Sequence, residues 1–221
     1  MTDTTTEHPA TILIIDDHPL LRRGVSQLLE LEDDLLLAGE AGDPLEGIRL
    51  ALELDPDMVL LDLNMPQMDG IETLKRLRDG GFAGRVVMFT VSDHEEDVVN
   101  ALRSGADGYL LKDMDPDEMV RQLRQASLGR MVISESLTAL LAEALRSQRS
   151  QPAAPDIHSL TQREREILRE LAAGLSNKMI ARKLEITEGT VKVHVKHLLK
   201  KLNLRSRVEA AVWAVQEGIE R

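Results

Sequence analysis

The sequence predicts two domains of different class: a doubly wound α/β domain with a five-stranded parallel sheet, followed by an all-α domain. Three observations support this prediction. Short apolar runs alternate with amphipathic segments of helical length over the first 130 residues. The last 60 or so residues carry helical patterns only. Between them, residues 146–158 combine two prolines with small and polar residues, which is typical of a linker.

The strands of the first domain are nearly continuous apolar runs, which indicates that helices cover both faces of the sheet. They are predicted at Thr11–Ile15, Leu35–Gly39, Met58–Leu61, Arg85–Phe89 and Gly108–Leu111. An amphipathic segment follows each of them. The fifth segment opens with Asp115-Pro116-Asp117-Glu118, where an N-cap residue, a first-turn proline and two acids all favour a helix start.

Composition excludes several functional classes. The chain has no cysteine, which excludes a disulfide scaffold, a cysteine nucleophile, iron–sulfur clusters and cysteine-containing zinc sites. Aromatic residues make up only 2%, which disfavours recognition of stacked bases. No apolar run approaches the length of a membrane span, and the first residues lack a secretory pattern. We therefore expect a cytoplasmic protein.

Charge is distributed unevenly between the two halves. The whole chain carries a net charge of −11. Residues 1–130 hold 12 basic and 27 acidic residues, a net charge of −15, whereas residues 158–208 hold 12 basic and 5 acidic residues, a net charge of +7. This asymmetry predicts one domain that handles cations and another that could meet a polyanion. Ordinary surface variation is the alternative.

Polar residues follow four of the predicted strands. Open parallel sheets place their sites at the carboxyl ends of the strands, so these side chains should meet at one edge. They are Asp16 and Asp17 after the first strand, Asp62 after the third, Thr90 after the fourth and Lys112 after the fifth. Caps and loop acids would be the alternative interpretation of each residue taken singly.

Clustered carboxylates predict a bound cation, and oxygen ligands beside a phosphate site favour Mg²⁺. Within such a cluster, Asp62 is a candidate nucleophile that could accept a phosphoryl group, with Lys112 and Thr90 holding its oxygens. The sequence contains neither a dinucleotide nor a Walker glycine motif. An Asp62-dependent phosphohydrolase is the enzymatic alternative. It is disfavoured because such enzymes have D-x-D after the first strand, unlike Asp16-Asp17, and no substrate cap is evident.

Residues 10–130 resemble the receiver domain of two-component response regulators. The resemblance lies in I-I-D-D-H at 14–18, L-L-D-L-N-M-P at 60–66, F-T at 89–90 and L-L-K at 110–112. It implies a flavodoxin-like fold in which Asp62 is the phosphoacceptor and Thr90 and Lys112 contact the phosphoryl group. It further implies that Mg²⁺ binds Asp16, Asp17, Asp62 and the backbone carbonyl of Asn64. Tyr109 matches the switch aromatic that moves with Thr90, although simple packing is an equal alternative.

The second domain has the pattern of a helix-turn-helix. Thr161 to Glu164 form a capping box that opens one helix, and Ser176 can cap a short helix at Asn177–Leu184. Thr187 can cap a third helix, Glu188–Leu202. Two short helices separated by three or four residues are typical of proteins whose second motif helix enters the major groove of DNA.

The third helix has an apolar face and a basic face. Val191, Val195, Leu198 and Leu202 are spaced as a core stripe. The basic face carries Lys192, Lys196 and Lys200, with Val193 among them. Lysines on one face gain affinity when they meet phosphates, and Val193 could touch a thymine methyl group. A solvated face, or an adaptor that binds proteins and not DNA, is the alternative.

Residues 158–220 closely resemble LuxR-type DNA-binding domains, through L-T-x-R-E-x-E-I-L at 160–168, N-K-M-I-A at 177–181 and T-V-K-V-H-V-K-H at 190–197. The resemblance implies that Lys192, Val193 and Lys196 contact DNA, and that a fourth helix from Ser206 to about Glu217 supports a homodimer on DNA. The predicted domains are therefore residues 10–130, an interdomain helix and linker at 131–157, and residues 158–221.

Both halves in this order resemble the NarL/FixJ family of response regulators, and within it the members that respond to nitrate or nitrite. The resemblance implies a transcription regulator, not an enzyme. Its expected partners are a sensor histidine kinase, double-stranded promoter DNA and RNA polymerase. In this subfamily the receiver domain blocks the recognition helix until phosphorylation. The first half of this chain is acidic and the third helix of the second domain, the expected recognition helix, has a basic face. We therefore hypothesise that the receiver domain masks this helix here in the same way.

Overall fold

The structure is a computed structural model that describes residues 9–134 and 157–219. The first domain alternates strands and helices along the chain. Its elements are β1 (Ala10–Ile15), α1 (Pro19–Leu29), β2 (Leu35–Ala41), α2 (Pro44–Leu54), β3 (Met58–Leu61), α3 (Gly70–Asp79), β4 (Arg85–Thr90), α4 (Glu95–Arg103), β5 (Gly108–Leu111), α5 (Pro116–Ser127) and β6 (Val132–Ile133). Most of the interdomain helix and linker predicted at 131–157 lies outside the described residues.

The second domain is helical throughout its described length. After a short 3₁₀ turn at Ile157–Ser159, it consists of α6 (Gln162–Ala172), α7 (Asn177–Leu184), α8 (Glu188–Leu202) and α9 (Arg207–Gln216). A serine or threonine caps the first turn of each helix. Thr161 and Glu164 form the predicted capping box, because each side chain bonds to the other residue's backbone N–H. In the part of the chain that the structure describes, no helix has the length and apolar character needed to cross a membrane.

All strands run parallel in the order β2-β1-β3-β4-β5-β6. The predicted α/β class and the all-helical second domain are confirmed. The structure adds β6, whose two residues pair with Gly108 and Tyr109 of β5. A two-residue strand is too short to show as an apolar run, which is why the sequence predicts only five.

Alternate residues of each strand face two separate cores, as expected for a sheet covered on both sides. Leu13, Val59 and Met88 pack on one side against α2, α3 and α4. Ile14 and Leu60 pack on the other side against α1 and α5. The strands are therefore fixed in register by burial on both faces, which holds the ends of β1, β3, β4 and β5 in place.

The second domain packs against the amino-terminal edge of the sheet. Three turns that lead into strands contact it, and each contains a glycine with positive φ: Gly81, Gly105 and Gly129. A Cβ atom at Gly81 would lie 2.3 Å from Cε of Lys196, and one at Gly129 would lie 2.0 Å from the backbone oxygen of Gly174. These glycines allow both the left-handed turn and the close approach of the second domain.

Candidate functional site

The carboxyl ends of four neighbouring strands bring the predicted site residues together. Asp16 follows β1, Asp62 follows β3 and Lys112 follows β5, while Thr90 is the last residue of β4. The backbone N–H of Asp62 donates to the carbonyl of Ile15 at 2.8 Å, and that of Lys112 donates to the carbonyl of Thr90 at 2.9 Å. The parallel ladder thus continues into the site and fixes its residues.

Lys112 lies between two buried carboxylates. Its Nζ is 2.8 Å from Oδ2 of Asp16 and 2.9 Å from Oδ2 of Asp62. Asp16 and Asp62 are each only 1% exposed. Buried charges at this separation interact strongly, so the lysine and the two aspartates form one electrostatic unit.

Burial raises the pKa of the Asp62 carboxyl above its usual value. The hydrogen bond and charge of Lys112 oppose this rise, whereas the negative charge of Asp16 adds to it. The backbone N–H of Asn64 also donates to Oδ1 of Asp62, at 3.3 Å. Asp62 is therefore a carboxylate whose nucleophilic oxygens are largely removed from water and held by one cation.

A cluster of three acids and one histidine completes this edge. One ligand atom from each of Asp16, Asp17, His18 and Asp62 lies within 4.8 Å of the others. The backbone N–H of His18 donates to Oδ1 of Asp16 at 2.8 Å, and His18 Nδ1 lies 2.9 Å from Oδ1 of Asp17. Carboxylate oxygens are the donors that Mg²⁺ prefers, so the residues fit that ion.

Thr90 and Tyr109 are connected through Ser92. The Thr90 hydroxyl accepts a hydrogen bond from the backbone N–H of Ser92 at 3.2 Å. The Tyr109 hydroxyl donates to the backbone carbonyl of Ser92 at 3.0 Å, and the Tyr109 side chain is fully buried. Burial raises the pKa of Tyr109 to about 12, so the hydroxyl remains a donor. The two residues predicted to move together thus share one backbone partner.

The predicted DNA-contacting residues all lie on α8, opposite its buried stripe. Val191, Val195, Leu198 and Leu202 are buried in the core of the second domain, as predicted. Val193 is 51% exposed, and Lys196 and Lys200 are also exposed. The helix therefore presents the basic face expected from its sequence, with one exception.

That exception is Lys192, which the sequence predicts to be exposed but which lies against the first domain. Its Nζ donates to the backbone carbonyl of Asp55 at 2.7 Å and lies 3.4 Å from Oδ2 of Asp55 and 3.6 Å from Oδ1 of Asp57. Only 16% of its side chain is exposed. The turn between α2 and β3 thus binds a lysine that the sequence predicts to contact DNA.

Sequence reasoning missed two acids at this contact and one glycine at the other edge. Asp55 and Asp57 face Lys192, and the only sequence signal was the D-P-D at 55–57 in front of a strand. Gly70 opens α3 beside the site, where a Cβ would lie 2.2 Å from the backbone oxygen of Asp62. That glycine was visible in the sequence, but its proximity to Asp62 was not.

Two family models match the chain. A response regulator receiver domain matches residues 12–124, which include every predicted residue of the carboxyl edge. A model of bacterial regulatory proteins of the luxR family matches residues 158–214, which include all of α6, α7 and α8. The two matches correspond to the two structural domains.

Relatives match nearly the full chain. It is 59% identical to the nitrate/nitrite response regulator protein NarL of Escherichia coli K12, over 96% of this chain and 98% of that protein. It is 48% identical to the nitrate/nitrite response regulator protein NarP of the same organism, over 95% and 96% of the two chains.

A solved LuxR-family two-component response regulator from Aurantimonas sp. SI85-9A1 matches with a TM-score of 0.59 and 33% identity, covering 63% of this chain and 99% of that one. These matches join an acidic receiver site and a helix-turn-helix in one chain, as the geometry does. The chain therefore belongs to the NarL/FixJ family of two-component response regulators, transcription regulators that couple a receiver domain to a LuxR-type DNA-binding domain.

Proposed function

We propose that this protein is a phosphorylation-switched transcription regulator of the nitrate or nitrite response, and that the receiver domain masks the recognition helix until Asp62 is phosphorylated. The nitrate and nitrite assignment rests on the relatives at 59% and 48% identity. The main observation in support of the switch is that Lys192, which we expect to bind DNA, contacts Asp55 of the receiver.

Asp62 acts as a phosphoryl acceptor. A carboxylate oxygen of Asp62 attacks the phosphorus of a phosphohistidine on a sensor kinase, the P–N bond breaks, and the histidine nitrogen leaves with its electron pair. Mg²⁺ would be held by Asp16, Asp17, Asp62 and the backbone carbonyl of Asn64. Its positive charge would offset the negative charge of the phosphoryl oxygens. Lys112 would exchange one carboxylate partner for a phosphoryl oxygen.

The response at Thr90 then reaches Tyr109. The Thr90 hydroxyl turns toward the phosphoryl group and releases the N–H of Ser92. Because Tyr109 is bonded to the carbonyl of the same residue, a shift of Ser92 changes the position that Tyr109 can hold. In this step the charge added at Asp62 causes a conformational change in the receiver.

Release of the receiver exposes the DNA-binding surface. Lys192 becomes accessible to DNA together with Lys196 and Lys200 on the same helix. Contacts with DNA phosphates then replace its contact with Asp55. On α9, Val212 and Val215 are 46% and 44% exposed, which suits a small homodimer contact between two chains on paired half-sites. The dimer would act on promoter DNA in the cytoplasm, together with RNA polymerase.

Binding of the full chain to duplex DNA tests this proposal. The duplex is selected from a random-sequence pool with the chain treated with Mg²⁺ and beryllofluoride, a phosphoryl mimic. Its affinity is then measured at fixed salt with and without the mimic, for the wild type and for Asp62→Asn. We expect the mimic to strengthen binding of the wild type and to leave Asp62→Asn unchanged. Equal binding of the wild type in both conditions would refute masking.

A further inference from the structure

A cavity lies between the two domains, at the edge of the sheet where the strands begin. Its volume is about 300 Å³, which is at the lower end of the range for small-molecule sites. The receiver domain contributes Arg85 at the start of β4 and the turn at 129–131. The second domain contributes the end of α6 and one face of α9. A molecule bound in this cavity would therefore touch both domains.

The lining of this cavity combines positive charge with apolar side chains. Among the described residues no acid lines it, and its charged residues are Arg85, Arg130 and Arg207. Its apolar side chains are Met131, Leu171, Ala172, Val208, Ala211 and Val212. Such a lining suits a ligand that has a negative charge at one end and an apolar body, because the arginines attract the charge and burial favours the body.

Hydrogen bonds hold two of the guanidinium groups beside one contact between the domains. Nη1 of Arg85 donates at 3.0 Å to the backbone carbonyl of the residue that follows Gly129. Nη2 of Arg207 donates at 2.7 Å to the backbone carbonyl of the residue that follows Gly174. The two glycines touch, since a Cβ atom at Gly129 would lie 2.0 Å from the backbone oxygen of Gly174. The contact between the domains therefore brings the two positive charges together.

Both guanidinium groups carry their charge in surroundings that disfavour it. Arg85 is 3% exposed and Arg207 is 6% exposed. Burial lowers the pKa of Arg85, and burial followed by the positive charge of Arg85 lowers the pKa of Arg207 to about 9. Asp107 opposes both shifts, but its Oδ2 already accepts a hydrogen bond from Arg78 at 2.6 Å. Because arginine keeps its proton in proteins, a bound anion would offset the unfavourable charge.

We propose that this cavity binds a small organic carboxylate with an apolar body, whose charged end lies between Arg85 and Arg207 and whose body packs against α9. Because the site needs both domains, the ligand binds the closed arrangement and holds the receiver against the recognition helix. This inference rests on the masking proposed above and adds a second input to it, which opposes phosphorylation.

Isothermal titration calorimetry of the full unphosphorylated chain at fixed salt tests the site. The probe is naphthoate, and naphthamide is the matched control ligand because it has the same rings without the charge. We expect one naphthoate to bind per chain. Naphthamide should bind about tenfold more weakly, because the hydrogen bonds that arginine donates to a charged group are stronger than those to a neutral one.

Two pairs of variants test the location of the bound probe. Arg130→Gln removes one charge from the lining and should weaken naphthoate binding about threefold, whereas Arg121→Gln makes the same change at an exposed residue of α5 and should have no effect. Val208→Phe places a ring in the cavity and should weaken binding about tenfold. Val215→Phe makes the same change on α9 outside the cavity lining and should bind like the wild type.

Two further measurements test the link to the closed arrangement. Naphthoate at about ten times its dissociation constant should weaken DNA binding by the unphosphorylated chain about tenfold, because it stabilises only the closed form. The same concentration of naphthamide should have a much smaller effect. Treatment with Mg²⁺ and beryllofluoride should in turn weaken naphthoate binding, since opening separates the two walls of the cavity.

The outcomes separate this site from the masking. No binding of naphthoate, equal binding of naphthamide, or binding that Arg130→Gln does not weaken would overturn the site and leave masking intact. Arg130 is exposed, so this variant decides the question even where Val208→Phe does not fold. Naphthoate that binds at the site without weakening DNA binding would overturn its hold on the closed form. Naphthoate binding that the lining variants weaken and beryllofluoride does not change would support the site and refute the opening of the domains.

Discussion

The two ends of β3 carry similar groups of side chains with different consequences. Asp62 follows the strand and Asp57 precedes it, roughly 16 Å apart by the rise of a parallel strand. Each belongs to a cluster of acids around one lysine. At the carboxyl end Lys112 comes from the same domain and lies within 2.9 Å of both aspartates. At the amino end Lys192 comes from the other domain and lies 3.4 Å and 3.6 Å from its two carboxylates.

Burial separates a fixed site from a reversible contact. The Lys112 cluster is almost fully buried, so removing one partner leaves an uncompensated charge inside the receiver. Around Lys192 the Asp55 side chain is 53% exposed, and an exposed ion pair contributes at most about 1 kcal/mol. The same chemistry therefore builds a permanent centre at one end of β3 and a separable contact at the other.

Asp62→Asn should have the largest effect, because it removes the nucleophilic oxygen at the buried end. We expect incorporation of phosphate from acetyl phosphate to fall to the background of the assay. Asp113→Asn changes an exposed carboxyl next to Lys112 and is the matched control, which should be phosphorylated like the wild type. Phosphate on Asp62→Asn would place the acceptor elsewhere.

Lys112→Ala tests whether the buried lysine neutralises its two aspartates. Breaking a buried pair should lower the free energy of unfolding by about 3–5 kcal/mol, measured by urea denaturation. Millimolar Mg²⁺ should restore part of the loss, because a cation that binds only the folded chain stabilises it. An unchanged unfolding free energy would show that Asp16 and Asp62 do not depend on this lysine.

Asp55→Lys tests the exposed end by reversing one charge beside Lys192. Repulsion in place of attraction should strengthen DNA binding by the unphosphorylated chain about fivefold, a change of about 1 kcal/mol. Asp33→Lys adds the same charge at an exposed position and controls for general attraction to DNA. Fluorescence anisotropy at fixed salt measures both. Equal gains in the two variants would mean that Asp55 does not restrain the recognition helix.

Tyr109→Phe should have the smallest effect, because it removes one hydrogen bond between neutral groups. The carbonyl of Ser92 loses its buried donor, which should cost about 1 kcal/mol of stability in urea denaturation. Phosphorylation of Asp62 should be retained, since the hydroxyl does not touch that carboxylate. A variant as stable as the wild type would assign Tyr109 to packing alone.

The buried end of β3 could be predicted from the sequence, because its geometry follows from local patterns. Apolar runs locate the strands, parallel pairing brings their carboxyl ends to one edge, and the polar residue after each run must then lie there. Asp16, Asp62 and Lys112 were found in this way. The short β6 and the close approach of Gly70 to Asp62 were not, because neither leaves a periodic signal.

The exposed end could not be predicted, because it depends on how two domains meet. Asp55 and Lys192 are 137 residues apart in the chain. In the sequence, Asp55 and Asp57 have the ordinary pattern of a helix end and a strand start, and Lys192 has that of a DNA contact. Charge asymmetry indicated that the halves attract each other, but a sum of charges does not identify which residues pair.

The two separate contacts of Asp57 have a consequence for genetic selection. One of its oxygens joins β1 to β3 through Thr11, and the other faces Lys192 and the second domain. Selection for regulators that act without their signal should therefore recover changes at Asp55 and miss Asp57, because most replacements there damage the sheet as well as the restraint. A residue that serves both purposes would tolerate little variation, although it lies at the opposite end of β3 from Asp62.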